Sequence, residues 1–212
     1  MQINDMPKIE SPFVRKIING DYLVTPEIAE GYEWVFNDDN VLCTEKLDGT
    51  NVSIVIENGV ITSVWNRTAR IPFFNRGKKH IIEGVLESYD RGYMDLLPDG
   101  QHFGELIGEK VNGNRYKIEG HLWIPFETFV RKHLAYKSWG KYPKDYQTIS
   151  GWLRDDIFSL FMSMKHKERS KEKPEGLVFV QLSTGKMAKL RCDMYDWCQG
   201  HRHKEVDVEE VI

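Results

Sequence analysis

The chain has 212 residues, 41% hydrophobic and 29% charged, with a formal net charge of −3. Such a length and composition fit one globular domain with a sizeable core and exclude a disordered tail. The slightly negative balance excludes a nucleic-acid binder that works by bulk charge alone, though local basic patches remain open to it.

Three cysteines, Cys43, Cys192 and Cys198, are too few and too odd in number for a disulfide framework. A reducing, cytoplasmic compartment is expected. The opening residues MQINDMPKIESPF are acidic and polar where a signal peptide needs an apolar run. No stretch approaches the roughly 18 consecutive apolar residues of a membrane span. A soluble protein with no membrane segment is therefore expected.

In chain order, residues 1–40 form an N-terminal segment without a motif. Its aromatics Tyr22, Tyr32 and Trp34 suit either a cover over a pocket or a contact with a substrate. Residues 41–66 read as a three-stranded antiparallel meander. VLCTEKL and NVSIVIE meet at the turn signal Asp48-Gly49, and VITSVWN follows Asn58-Gly59. Ile81, Ile82, Val85, Leu86, Tyr89 and Tyr93 recur at helical spacing, which predicts a helix over 78–97. HFGELIGE and HLWIPFETFV read as two buried strands, with the polar turn region VNGNRYKIEG between them. A second helix is expected over 145–166, with Ile149, Trp152, Leu153, Ile157, Leu160, Phe161 and Met164 on one face. The charged linker KHKERSKEKPEG then leads to GLVFVQL and KMAKLR, a hairpin around Ser183-Thr184-Gly185. This order predicts an antiparallel α+β domain.

The candidate chemistry starts at Glu45-Lys46-Leu47-Asp48-Gly49-Thr50-Asn51. Read alone, it is equally an exposed lysine beside a hairpin turn. Beside the other segments it resembles the Lys-x-Asp-Gly motif of covalent nucleotidyltransferases, which include ATP-dependent ligases and RNA capping enzymes. Asn51 resembles the RNA ligase version, of the RNA ligase 2 and RNA-editing type. Asn66-Arg67-Thr68, Phe103-Gly104-Glu105-Leu106, Pro125-Phe126-Glu127, Glu175-Gly176-Leu177-Val178-Phe179 and Lys189-Leu190-Arg191 resemble the family's further motifs, in family order.

The resemblance implies an antiparallel-sheet, ATP-grasp-like ligase adenylation domain. It implies that Lys46 attacks the α-phosphate of ATP and becomes covalently adenylylated, with Mg²⁺ as cofactor and Mn²⁺ as its alternative. Catalytic roles fall on Lys46, Asp48, Lys189 and Arg191. The nucleotide falls to Glu45, Lys46, Asn51, Arg67, Glu105, Phe126, Glu175 and Lys189. Glu175 helps bind the metal, and Glu105 contacts the ribose or the metal. Phe126 stacks on adenine, and Arg67 lies near the ribose or an RNA 5′-phosphate. The physics of the residues agrees: Lys189 and Arg191 alternate on a strand, so both point to one face, where they could hold a phosphate. Carboxylates among buried strands want a cation or donors.

Two features stand apart. Arg70, Arg76, Lys78 and Lys79 interleave with Phe73 and Phe74, which suits either nucleic-acid tracking or a solvated loop. Cys192, Cys198, His201 and His203 suit either a metal site or a helix end with solvated histidines. The expected organisation is a single adenylyltransferase domain over 1–212: the segment 1–40, a motif-bearing core over 41–191 and a short tail over 192–212. No oligonucleotide-binding (OB) barrel or helical domain is expected after Arg191, so a protein partner could stand in for one. The expected function is RNA ligation, joining a 5′-phosphate end to a 3′-hydroxyl end, including in a nicked duplex. The alternatives are DNA nick sealing, capping-type transfer, and a nucleic-acid-end binding subunit without turnover.

Overall fold

The computed structural model describes residues 2–74 and 76–198. β1 (Phe13–Ile18) and β2 (Asp21–Ile28) form a hairpin around Asn19-Gly20, both with positive φ, the geometry that a tight two-residue turn demands. A one-turn α1 (Trp34–Asn37) leads to β3 (Val41–Lys46). Then come β4 (Thr50–Glu57), β5 (Val60–Asn66), β6 (Ala69–Ile71), α2 (Lys79–Asp90), β7 (Gly100–Gly108) and β8 (His121–Pro125). The chain continues through a short α3 (Arg131–His133), α4 (Tyr146–Gly151) and α5 (Leu160–His166) to β9 (Gly176–Gln181) and β10 (Met187–Arg191).

Two further antiparallel sheets carry the molecule. One has five strands in the order β6-β5-β4-β7-β8, and the other three in the order β10-β9-β3. On the first, Val52, Ile54, Val64, Ile71, Leu106 and Trp123 face Ile81, Ile82 and Val85 of α2, and all are buried. On the second, Cys43, Leu177, Phe179, Ala188 and Leu190 pack on Trp152, Leu153 and the N-terminal hairpin. A third cluster, with Leu47, Ile107, Tyr116, Ile124 and Phe161, joins the two. Antiparallel sheets with helices set to their faces agree with the α+β expectation.

The meander expected over 41–66 is corrected. β3 does not pair with β4: it pairs with β9, while β4 pairs with β5 and β7. Asp48-Gly49 is not a hairpin turn but a crossing from one sheet to the other. Asn58-Gly59 does turn β4 into β5, with both residues at positive φ. The helix expected over 78–97 ends at Asp90, where Gly92 adopts a left-handed φ of 72°. Leu86 and Tyr89, expected on its inner face, are exposed.

The helix expected over 145–166 is two helices. A π-helical turn over Trp152–Asp156 ends α4, Ile157 is extended, and Ser159 caps α5 by accepting a hydrogen bond from Met162 N at 3.1 Å. The apolar spacing continues across the break although the pieces pack into different clusters: Ile149, Trp152, Leu153 and Ile157 join the second, Phe161 joins the third, and Leu160 touches both. Met164 is exposed. HLWIPFETFV is a strand only to Pro125, and Phe126 opens a π-helical turn over Phe126–Val130. Among the described residues no helix is long and apolar enough to cross a membrane.

Alternation along β3 sends Glu45 and Lys46 to opposite faces. Glu45 is 1% exposed, and its carboxylate accepts from Ser159 Oγ at 2.6 Å and from Phe161 N at 2.8 Å. It thus satisfies the start of α5. Burial nevertheless pushes its carboxyl from 4.5 up to about 7. The folded state therefore holds this proton more tightly than the unfolded chain does. The stability it contributes is full below pH 4.5 and is lost as pH rises through about 7. The change is worth roughly 3 kcal/mol. Glu45→Gln removes the titration, so the melting temperature of the wild type should fall relative to the variant between pH 4.5 and about 7. Parallel thermal-unfolding profiles for the two proteins would exclude Glu45 as the titrating group.

Candidate active site

The crossing Leu47-Asp48-Gly49 places the site. Leu47 is buried against Ile107 and Tyr116. Gly49 lies so close to β7 that a Cβ would collide with the Leu106 carbonyl oxygen and with Glu105 Cγ. Only glycine permits that approach. The contact brings Lys46, at the end of one sheet, beside Glu105 on the other.

Lys46 Nζ lies 2.6 Å from Glu175 Oε2 and donates to Leu47 O at 3.2 Å. Glu175 precedes Gly176, the register partner of Lys46, and a Cβ at Gly176 would strike Leu190 O and Arg191 Cα. β9 therefore lies flush between β3 and β10. Lys189 pairs with Val178 and Arg191 with Gly176, so both project on the face that carries Lys46. Burial, then repulsion from Lys46 and Arg191, holds the Lys189 amine below its usual value. Arg191 is engaged by Asp193, with Nε and Nη2 donating at 2.9 and 2.7 Å.

Burial pushes the Glu105 carboxyl up to about 8, with Glu175 and Asp48 adding repulsion and Lys46 opposing it. Burial likewise raises Glu175, against the pull of Lys46. Two carboxyls that resist ionisation beside one lysine are short of positive charge. That deficit and the all-oxygen donor set fit a hard divalent cation. Among the described residues no three His, Cys, Asp or Glu side chains form a ready-made metal group. Mg²⁺ with phosphate and water ligands does not require one.

Asp48 is held by residues that the sequence left as a plain turn region. Its N–H donates to Tyr116 Oη at 2.8 Å. Asn112 Nδ2 donates to Asp48 Oδ1 at 2.7 Å and to Gly49 O at 3.0 Å. Arg115 Nη1 lies 3.9 Å from Asp48 Oδ2. Asn112, Gly113, Asn114 and Lys117 all have positive φ. The Asn-Gly-Asn run was the available signal, since these residues tolerate that conformation best.

Asn51 pairs with Glu105, and its Nδ2 donates to Met6 Sδ at 3.0 Å. Met6 belongs to an N-terminal strap. Asn4 and Gln101 exchange two hydrogen bonds, at 3.0 and 2.8 Å, and Lys189 N donates to Glu10 O at 2.9 Å. The strap therefore ties the five-stranded sheet to the three-stranded one across the cleft, and Tyr22, Tyr32 and Trp34 lie outside it. Phe126 follows Pro125, the partner of Gly104, and packs on the third cluster. Arg67 is exposed at the β5–β6 turn with φ 53°, linked to the site through Asn66 Nδ2, which donates to Asn51 O at 2.9 Å.

The structure thus gathers Lys46, Asp48, Glu105, Glu175, Lys189 and Arg191, sets Asn51 and Phe126 beside them, keeps Arg67 at the margin, and turns the Glu45 side chain away. Cys192 Sγ donates to Pro174 O at 3.3 Å, and burial pushes its thiol up to about 12. His201 and His203 lie outside the described residues. A concavity of about 580 Å³ between Tyr93, Phe129, Phe161 and Met164 contains none of these site residues. Volume does not mark the site here.

No curated protein matches the chain. Among solved structures it is similar to Naegleria gruberi RNA ligase with PPi, at a TM-score of 0.53 and 18% identity over 93% of this chain and 64% of that one. A lysine-to-alanine variant of that ligase with ATP and Mn gives 0.54 and 16% over 90% and 63%. A glutamate-to-alanine variant with ATP and Mn gives 0.53 and 15% over 86% and 59%. At such identities the likeness establishes a shared fold, and the chain spans about three fifths of the length of these structures. A family model described as RNA ligase matches residues 39–191, so the chain belongs to the RNA ligase family.

Proposed function

We propose that the chain is an ATP-dependent RNA ligase that works through a covalent Lys46–AMP intermediate. The observation that carries this reading is the Lys46–Glu175 contact of 2.6 Å, framed by Glu105, Asp48 and Lys189. It is supported by family membership and by solved relatives described with ATP and Mn, AMP and Mn, or PPi.

Lys46 attacks through a neutral amine. Its proton leaves to solvent, and the 2.6 Å contact with Glu175 holds Nζ in place. Nζ then bonds to the α-phosphorus of ATP and the bond to pyrophosphate breaks. Lys189 holds the α-phosphate and balances the charge that grows there. Arg191 assists, although Asp193 already neutralises part of its charge. Glu105 and Glu175 would be the oxygen donors that hold Mg²⁺ or Mn²⁺, which would supply charge neutralisation at the phosphates. Asn51, Phe126 and Arg67 contact the nucleotide, with Phe126 against the base.

AMP next passes to the 5′-phosphate of an RNA end: an RNA phosphate oxygen bonds to the AMP phosphorus and Lys46 is released. A 3′-hydroxyl oxygen then bonds to the RNA 5′-phosphorus, and AMP leaves with the electron pair. In each step positioning and charge neutralisation carry the catalysis. Residues 41–191 hold all of these side chains, and we assign them to one adenylyltransferase unit.

Incubation with α-labelled ATP and Mg²⁺ should label wild-type protein on Lys46, and Lys46→Ala should take up none. A covalent adduct retained by that variant, or labelling from GTP alone, overturns the reading. Tyr116→Phe leaves the Asp48 N–H without its acceptor, at a cost of about 1–3 kcal/mol in stability. Labelling should slow by roughly ten- to hundredfold as the Lys46–Gly49 segment loses its position. Wild-type labelling by Tyr116→Phe would show that this anchor does not set the geometry of Lys46.

A further inference from the structure

Between Glu57 and Glu83 the chain has no acidic residue and five basic ones, Arg67, Arg70, Arg76, Lys78 and Lys79, in a protein of net charge −3. The structure lays this segment along one edge of the five-stranded sheet. β6 is the edge strand; Arg70 on it and Arg67 in the turn before it are exposed. At its far end Phe73 is 45% exposed and Phe74 98% exposed. A single exposed aromatic needs no explanation, but two adjacent ones beside a run of cations do. Lys79 is paired with Glu83 at 2.6 Å, so its charge is already matched.

Strand register connects this edge to the site. Arg70 pairs with Trp65, Trp65 with Ser53, and Ser53 with Phe103. Paired residues share a face, so this row crosses the sheet on the side that carries Asn51 and Glu105. Trp65 and Phe103 are half-buried. A row that starts at the cation Arg70 on the open edge and carries the rings of Trp65 and Phe103 toward the site, with Phe73 and Phe74 exposed at the edge, matches the needs of a single strand: charge for its phosphates, ring faces for its bases. Neither Phe73, Phe74, Arg70 nor Arg76 has a part in nucleotide transfer to Lys46.

We propose that β6 and the turn after it form a binding track for the unpaired nucleotides of an RNA end, with Phe74 stacking a base and Arg70 and Arg76 contacting phosphates. This rests on the ligase reading and names how its polynucleotide substrate is held. The occupant is single-stranded because rings as open as Phe74 stack only on bases already free of a duplex.

The test uses the full chain, a short 5′-phosphorylated oligoribonucleotide with a 3′ fluorophore, and α-labelled ATP. Phe74→Ala should keep the wild-type melting temperature and rate of Lys46 labelling, and weaken RNA binding by roughly five- to hundredfold. Phe74→Trp should restore binding. Arg70→Ala and Arg76→Ala should each lower the slope of log affinity against log salt by roughly 0.7. Unchanged RNA affinity in Phe74→Ala, or a loss of Lys46 labelling in that variant, overturns the track and assigns these rings to another partner or to the fold. A wild-type chain that takes no label from ATP defeats the ligase reading instead, and leaves the affinity comparison to decide the track by itself.

Discussion

Everything in this site depends on the contact between Gly49 and β7. Lys46 belongs to a three-stranded sheet and Glu105 to a five-stranded one. Neither sheet holds the other by backbone pairing. The joint is made by Leu47, which drives its side chain into the shared apolar cluster, and by Gly49, which lets the main chain rest against Leu106. Burying Leu47 stabilises the joint by roughly 2 kcal/mol. Asn112 and Tyr116 then fix the polar groups of the crossing by direct hydrogen bonds. A lysine at the end of a strand would otherwise sweep a wide volume of solvent.

The electrostatics follow from that joint. Bringing the two sheets together removes water from Glu105 and Glu175 at the place where Lys46 and Lys189 converge. Each carboxyl resists ionisation, and the Lys189 amine resists protonation. The resting cleft is thus a set of titratable groups whose charged forms burial disfavours. A nucleotide brings phosphate charge for the lysines, and a divalent ion brings charge for the carboxyls. The same fold treats the Glu45 carboxylate differently. One residue before Lys46 and on the opposite face, it closes the start of α5 against Ser159 and Phe161. Strand alternation separates a structural carboxylate from a chemical amine by a single peptide.

The N-terminal strap adds a second tie between the sheets. Its contacts reach Gln101 and Asn51 on the five-stranded sheet and Lys189 on the three-stranded one. The two ties share the load of keeping both sheets at one separation. Residues that touch no phosphate, such as Asn4 and Met6, therefore bear on the position of residues that do.

The sequence by itself determined the family, the strand content and the chemical types at the site. Apolar alternation and the Asn58-Gly59 turn marked most strands after residue 40, though not the β1–β2 hairpin around Asn19-Gly20, and the spacing of Lys46, Glu105, Glu175 and Lys189 along the chain carried the motif order. These features are local, and local pattern is readable from periodicity. Partners were not readable. Asp48-Gly49 carries the same signal whether it closes a hairpin or crosses between sheets, and only the pairing of β3 with β9, more than a hundred residues away, decides which. The break at Ile157 was invisible because the apolar spacing runs on through it, although the two halves pack into different clusters joined at Leu160. Tyr116 and Asn112 met Asp48 only through folding, since a hydrogen bond across sixty-odd residues leaves no trace in local spacing. Composition set what each segment could be, and long-range packing chose which side chains share the cleft.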